Sequence, residues 1–431
     1  MSSATAQPLP PPEEYLSEQH QRGNIWRLTA AQALAGANSV VTYATGAIIG
    51  NTLAPDPALA TLPISIFVVG MALCILPFGV IAKRYGRRAA FLAGTSAGII
   101  TGLLSMLALI TSSFWLFCVA TLFGGAYAAV ALSFRFAATD GVEPKRQARA
   151  LSLVMGGGVL AGIIGPQLVT WTMYLWPLYI FSATFAVQAA VAALSAILLW
   201  GVQQPTLQPK NAAQDSQTGQ EKTEKSKQPA GRSLKTIALK PRFIVAVTCG
   251  AVSYMVMNFL MTAAPLAMHF CGHSQASSNL GLQWHVIAMY APSFFTGRLI
   301  ERFGAIQISL LGLGLTALSS AVGLSGIEVT HFWWMLILLG LGWNFGFLGA
   351  SALVLQCHRP EEKVQVQGLN DFIVFSVMAV GSFSSGGILA LYGWDQVLWV
   401  SFVPVALALL LFVLVKQRRQ EANQTSSEQA S

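Results

Sequence analysis

The sequence predicts an all-α integral membrane protein of twelve crossing helices, arranged as two pseudo-symmetric bundles of six. Three observations carry that reading. Of the 431 residues, 54% are hydrophobic and only 10% are charged, whereas a soluble globular protein carries about 25% charge. A polar stretch at 201–241 divides the apolar sequence into halves of nearly equal length. Finally, every loop lysine and arginine falls on one side of the alternating topology that twelve spans create. This composition lacks the polar coat of a soluble enzyme, a nucleic-acid binder or a disordered regulator. The formal charge of +8 is of the kind that membrane proteins reach through their loops.

The elements follow in chain order. Residues 1–25 read as a polar cytoplasmic tail, with a proline run at Pro10, Pro11 and Pro12 and no apolar core of a cleavable signal. A crossing takes about 20 apolar residues. Six such segments lie near 26–50, 60–82, 89–110, 114–137, 149–172 and 177–200, forming an N-terminal bundle over 26–200. The fifth carries Gly157, Gly158, Gly162, Gly165 and Pro166; Gly158 and Gly162 share a helix face and favour close packing. Residues 201–241 are rich in Gln, Lys, Ser, Thr and Pro, too poor in apolar residues to fold alone, and read as a flexible cytoplasmic linker. Six further segments lie near 242–269, 279–300, 304–325, 331–356, 366–391 and 394–415, a C-terminal bundle over 242–415, and 416–431 form a second cytoplasmic tail.

With the N-terminus inside, the inner loops hold Lys83, Arg84, Arg87, Arg88, Lys145, Arg146, Arg149, Arg298, Arg302, Arg359 and Lys363, and the tail adds Lys416, Arg418 and Arg419. The outer loops carry Asp56, Glu328 and Asp395 and no basic residue. Both termini are therefore assigned to the cytoplasm. The five cysteines are scattered with no Cys-x-x-Cys pair and read as small apolar residues.

Between the second and third spans the chain reads Gly79-Val80-Ile81-Ala82-Lys83-Arg84-Tyr85-Gly86-Arg87-Arg88. Between the eighth and ninth it reads Gly297-Arg298-Leu299-Ile300-Glu301-Arg302-Phe303-Gly304. The shared pattern, Gly-x-x-x-charge-Arg-aromatic-Gly, is an internal repeat at half-chain period. Gly79 suits a close approach of two helices, Gly86 a tight turn, and the basic residues anchor the inner headgroups. Twelve spans, a polar central loop and this repeated signature resemble the major facilitator superfamily of transporters over roughly 25–416. The resemblance implies a cytoplasmic gate. In the family an acid at the Lys83 position latches the bundles; lysine replaces it here, while Glu301 keeps an acid in the second half. Asp140 resembles the fourth-span acid that partners the loop arginine, and Asp371 opens the eleventh span. The expected gate is Arg84, Arg88, Asp140 and Asp371, with Gly79, Gly86, Arg298, Glu301 and Arg302 in the supporting loops.

The resemblance also implies a solute site near mid-bilayer, faced by spans one, four, seven and ten. Polar and aromatic residues at that depth are Asn38, Tyr43, Tyr127, Tyr254, Asn258, Trp343 and Asn344, the candidate substrate-binding set. Glycines at 340, 342, 346 and 349 leave room beside Trp343. Each buried amide has an alternative as helix–helix glue. No Asp, Glu, Lys or Arg lies in the middle third of any span, which argues against a buried counter-charge and removes the usual carboxylate for proton coupling. His285, beside Gln283 and Trp284, is the remaining titratable candidate. His269, Cys271 and His273 offer a metal set without a fourth ligand, so no metal and no cofactor is assigned.

The reading is an alternating-access secondary transporter in the cytoplasmic membrane, moving a small neutral aromatic or amphipathic solute, for which a vitamin such as riboflavin is one chemical example rather than a motif match. A proton-coupled exporter of drug-like compounds and a transporter-like sensor without flux are the alternatives. An embedded enzyme lacks support, since there is no Gly-x-Ser-x-Gly, no His-Glu-x-x-His and no pair of buried acids. The partners are the solute and the lipid bilayer, with no nucleic acid, and the resemblance implies a monomer.

Overall fold

The computed structural model describes residues 17–138, 142, 144–203, 233–359 and 362–428. Among them every regular element is helical. Helix α1 runs Glu18–Leu53, α2 Leu62–Tyr85, α3 Arg87–Ile110 and α4 Phe114–Ala131, followed by a single turn, α5, at Phe134–Ala137. Then come α6, Pro144–Thr172, and α7, Ser182–Trp200. The second half contains the short α8, Leu234–Ala238, then α9, Pro241–Phe270, α10, Gln275–Tyr290, α11, Ser293–Phe303, α12, Ala305–Leu324, α13, Val329–Leu355, and α14, Lys363–Glu428.

Among the described residues ten helical stretches are long and apolar enough to cross a bilayer, and the difference from twelve has two physical causes. Helix α10 has 16 residues, about 24 Å at 1.5 Å per residue, which falls short of a hydrocarbon core of about 30 Å. It ends at Ala291 and Pro292, and α11 continues beyond the break, so the eighth expected span is filled by two helices. Pro292 has no N–H to give the preceding turn. Helix α14 has 66 residues, far too long for one crossing. It breaks at Gly393, which adopts φ 81° and ψ −179°, at the junction expected between the last two spans. The chain is thus a multi-pass membrane protein whose helices occupy all twelve expected segments.

Some boundaries move. Helix α1 begins at Glu18, eight residues before the expected 26, because Ser17 caps it by accepting from His20 N at 3.4 Å. Asn24, within the stretch read as a tail, donates to Gln203 O at 2.8 Å and accepts from Gln203 N at 2.9 Å. That pair ties the start of the central polar stretch to α1. The stretch itself lies mostly outside the described residues, as does Asp140. At the other end, α14 continues helically to Glu428 through residues read as a tail.

The repeat is visible in the backbone. Gly86 sits between α2 and α3 at φ 86° and ψ 161°, and Gly304 between α11 and α12 at φ 89° and ψ 148°. Only glycine takes these angles without strain, so the two signature turns are conformational copies. Arg84 lies over the Tyr85 ring at 5.3 Å and Arg302 over the Phe303 ring at 5.2 Å, the same pairing in each half.

Small residues let helices meet. Gly157 of α6 lies against the Thr29 carbonyl of α1, and Gly165 against Val40. On the opposite face, Gly158 and Gly162 lie against Tyr290 and Val286 of α10, so the glycines of the fifth span serve contacts in both directions.

Candidate functional site

Between the two halves lies a path that is shut at one end and open at the other. The shut end is the one bearing the α1–α2 and α9–α10 loops. There Ser65 of α2 and Ser382 of α14 share a hydrogen bond at 3.1 Å. Gln167 of α6 donates to Gln283 Oε1 of α10 at 2.9 Å. Asn279 donates to Thr170 Oγ1 at 2.9 Å, and Gln275 donates to the Ala44 carbonyl at 3.2 Å. Gly386 of α14 sits directly against the Thr61 side chain. All of these groups are neutral.

Below this closure a small cavity of about 120 Å³ is lined by Gln32, Ser39, Tyr43, Phe67, Met71, Tyr254, Met257, Met261 and Tyr290, among others. It shares Leu132, Tyr254 and Tyr290 with a larger vestibule of about 520 Å³ at the opposite end. The vestibule is lined by Trp343, Phe347 and Phe375, and by the charged residues Arg87, Arg135 and Asp371. Its volume falls within the range of roughly 300–1,000 Å³ typical of small-molecule sites.

An aromatic cage joins the two spaces. Tyr254 meets Trp343, Phe347 and Phe375 edge-on, with ring centroids 5.4, 5.2 and 5.7 Å away. Trp343 stacks on Phe347 at 5.3 Å with planes 13° apart, and Tyr290 lies 6.2 Å from Trp343. On the other half, Tyr43 meets Phe67 edge-on at 5.6 Å. The Tyr43 hydroxyl donates to Asn258 Oδ1 at 2.8 Å, bridging α1 and α9. A flat apolar ring entering this space meets ring faces, ring edges and methionine side chains, all of which favour stacking contacts.

Three of the seven residues expected to bind solute line these spaces, Tyr43, Tyr254 and Trp343, while Asn258 is buried behind them and reaches the site only through the Tyr43 hydroxyl. The other three are turned elsewhere. Asn38 lines neither cavity; its side chain donates to Leu34 O at 3.2 Å, and its own carbonyl accepts from Gln188 of α7 at 3.0 Å. Tyr127 is buried over Gly98 of α3. Asn344 is fully enclosed by protein partners. It accepts from the Thr296 hydroxyl at 2.7 Å and donates to the Met289 carbonyl at 2.6 Å and to Ser293 Oγ at 2.7 Å. These partners flank the break at Pro292, so Asn344 satisfies backbone and hydroxyl groups that the interruption exposes.

His285 is also enclosed. Its Nδ1 lies 2.7 Å from the Leu336 carbonyl of α13; a carbonyl only accepts, so Nδ1 carries the proton. The ring lines neither cavity and joins α10 to α13. His273 Nε2 is engaged with the Ile327 carbonyl at 2.7 Å, and among the described residues no group of three His, Cys, Asp or Glu side chains is placed to hold a metal.

The gate expectation is rearranged. Asp371 lines the vestibule, where its carboxylate accepts from Asn370 at 3.0 Å. The arginines that line it with Asp371 are Arg87 and Arg135, not Arg84 and Arg88. Arg84 lies on Tyr85, and Arg88 lies over the Trp200 ring at 4.4 Å. Arg87 and Arg88 are about 100° apart around a helix, and adjacent residues cannot share a face. Arg298, Glu301 and Arg302 are exposed and line neither cavity. Gly79 borders the vestibule with no atom within 4 Å of the place a Cβ would occupy, and Gly297 is equally open. In this conformation Gly79 marks separated helices, not the close approach expected of it. Tyr290 and Arg135 were not singled out by the sequence. Tyr290 stands one residue before the Ala291–Pro292 break, and that Pro-interrupted helix was the signal for it.

Comparisons with known proteins bear on family and fold. The Major Facilitator Superfamily sequence profile matches residues 28–282 and 246–431. The riboflavin transporter RfnT of Brucella anthropi is 44% identical over 394 residues, covering 91% of this chain and 96% of that protein. The uncharacterised MFS-type transporter YdeG of Bacillus subtilis is 28% identical over 422 residues, 94% of each chain. Among solved structures, a bacterial homologue of the human lysosomal transporter Spinster, in an inward-facing and unoccupied conformation, superposes with a TM-score of 0.69 at 16% identity, over 93% of this chain and 98% of that one. A profile match over nearly the whole sequence places the chain in the major facilitator superfamily of membrane transporters.

Proposed function

We propose that this protein is an alternating-access carrier that moves a neutral, planar aromatic solute, riboflavin, across the cytoplasmic membrane. The observation that carries the reading is the cage of Tyr43, Tyr254, Tyr290 and Trp343, set between the halves and closed above by neutral groups alone. A tricyclic ring stacks on such faces, and its polar edge pairs with hydroxyls and amides such as the Tyr43–Asn258 bridge. The 44% identity to RfnT supports the choice of riboflavin. The basic inner loops support an orientation with both termini in the cytoplasm, and in that orientation the described conformation is open inward. The protein acts as a monomer, with Asp371 and the vestibule arginines meeting when the inner end closes. His285 holds α10 to α13 and takes no part in proton coupling.

The test is uptake of labelled riboflavin by cells that cannot synthesise it, with and without a protonophore, in wild type, Tyr254→Ala and Trp343→Ala. The expected result is saturable uptake that rescues growth, and a loss of about tenfold or more in each variant at equal membrane abundance, since one aromatic contact contributes roughly 0.5–1.5 kcal/mol beyond its buried area. Absence of riboflavin flux in either direction would overturn the substrate. Normal flux in both variants would overturn the site.

A further inference from the structure

The two signature turns are copies in backbone angle, but the grooves beside them differ in chemistry. Counted from Gly86 and from Gly304, the second, third and sixth residues line a surface groove in each half: Arg88, Ala89 and Leu92 in the first, Ile306, Gln307 and Leu310 in the second. In the first half the cations at this place lie on the chain's own groups. Arg88 lies over the Trp200 ring at 4.4 Å, and the Arg27 guanidinium lies against Gly201. In the second half isoleucine stands where Arg88 stands in the first. The cation of this groove is Arg242 at the start of α9, which is exposed and has no hydrogen-bond, ion-pair or ring partner among the described residues. The groove encloses about 450 Å³ at the same end of the molecule as the vestibule. Its wall includes Val245, Leu310, Leu353 and Phe412, all within helices long and apolar enough to cross a bilayer. Its rim is Arg242, Gln307 and Gln356, all exposed. On three helices the polar rim residue and an apolar wall residue stand three positions apart, Arg242 with Val245, Gln307 with Leu310 and Gln356 with Leu353, which places them on one face about 5 Å apart along the axis. Among the described residues no acid lines the groove, and residues 235–242 hold Lys235, Lys240 and Arg242 without one.

We propose that this groove is a binding site for one anionic phospholipid of the leaflet at the vestibule end, with the phosphate on Arg242 between the Gln307 and Gln356 amides and an acyl chain along Val245, Leu310 and Phe412. A basic pocket between crossing helices is suited to such a headgroup, and a guanidinium grips a phosphate with two parallel hydrogen bonds. The step from cation and amides to hydrocarbon within one helical turn matches the step from phosphate to acyl chain. A water-soluble anion lacks the chain that the wall receives. A zwitterionic lipid brings a second cation that no acid of the groove meets. The corresponding place in the first half, where Arg88 lies on Trp200, holds no such lipid. The site does not depend on which solute is carried. It lies against α9 and α13, the helices that carry Tyr254 and Trp343.

The experiment uses the full-length protein in phosphatidylcholine nanodiscs, with the half-buried Cys74 and Cys271 changed to serine. A bimane fluorophore is attached at Gly314→Cys, one turn deeper than Leu310, where no atom lies within 4 Å of the place a Cβ would occupy. A second sample carries it at Ser96→Cys, the equivalent exposed position of the first half. A nitroxide on a lipid chain quenches the fluorophore when that lipid lies beside it. The reading is the ratio of quenching by chain-labelled phosphatidylglycerol to quenching by chain-labelled phosphatidylcholine at the same small mole fraction. One charge-assisted contact gives a preference of roughly tenfold, so a ratio of about fivefold is expected at Gly314→Cys and a ratio near unity at Ser96→Cys. Arg242→Gln should bring the first ratio to near unity, and Arg242→Lys should keep part of it. Arg242 is exposed, so neither change is expected to cost the fold. Rising salt should reduce the ratio, and excess glycerol phosphate, which has no acyl chain, should leave it unchanged. A ratio near unity at Gly314→Cys, or one that survives Arg242→Gln, overturns the inference. An equal rise at both labels would mean that anionic lipid gathers around the basic end without a site. Loss of the ratio on adding glycerol phosphate would mean that the groove takes a free anion in place of a lipid.

Discussion

The two ends of the path between the halves are lined by different chemistry. At the shut end the halves are joined through Ser65–Ser382, Gln167–Gln283, Asn279–Thr170 and the Gln275 contact with the Ala44 carbonyl. At the open end the charged lining groups among the described residues are Arg87, Arg135 and Asp371. Each neutral hydrogen bond contributes only about 1 kcal/mol net, so the shut end is a sum of several small contacts, any of which is easily released. Charged groups behave otherwise. Closing a cleft over them costs several kcal/mol per ion unless an opposite charge is brought into good geometry. The neutral end is thereby suited to opening readily, and the charged end to closing only when its partners align.

The largest effect is expected from a change that denies the shut end its contact. Gly386 lies so close to Thr61 that even a methyl group there meets the hydroxyl. Gly386→Val should hold the halves apart at that end, reducing uptake at least about tenfold without reducing the amount of protein in the membrane. Labelling of a Ser65→Cys thiol from outside should rise in parallel. Unchanged uptake and labelling would mean that the halves need not meet at Thr61. A smaller effect is expected from Asp371→Asn, which removes the acid from the charged end. On the proposed gate and orientation this end then closes less often, so flux should fall about fivefold to tenfold while thiol access to the vestibule from the side proposed as cytoplasmic rises. If both stay at wild-type values, the charged gate is wrong.

These residues also show how far the sequence could be read. Gly86 and Gly304 were legible because a positive φ is a local demand that one residue type meets, and both take the same angles. Tyr254 and Trp343 line the vestibule, but Tyr127, an equally large amphipathic ring at mid-depth, packs over Gly98 instead, so residue type and depth alone do not decide which rings face the cavity. Asn344 and His285 were not legible either. A polar group in the bilayer must find a partner, but its presence does not say whether that partner is solute or protein. Here the partners are the Met289 and Leu336 carbonyls, which depend on where α10 breaks and how it lies on α13. Choosing Arg87 over Arg88 required the rotational phase of α3, which depends on its packing against α4 and α7. Tyr290 escaped because its span was not among the four that the family resemblance turned toward the cavity.

The smallest effect sharpens the comparison most, because it separates the two ends by their response to salt. Gln167→Leu removes one neutral bond across the shut end and leaves Gln283 Oε1 without its donor. A loss of about 0.5–1.5 kcal/mol corresponds to a shift of roughly twofold to tenfold in the balance between states. Flux, which needs both states, should change by less than that. An amide–amide bond carries no net charge, so the change should be the same at 0.05 and 0.5 M salt. The effect of Asp371→Asn should instead shrink over that range, because the Debye length falls from above 10 Å to below 8 Å and the charges facing the open vestibule are screened. Two variants, each measured at two salt concentrations, therefore give opposite outcomes if the ends differ as described. A salt-sensitive Gln167→Leu or a salt-insensitive Asp371→Asn would mean that the charges act somewhere other than at the open end.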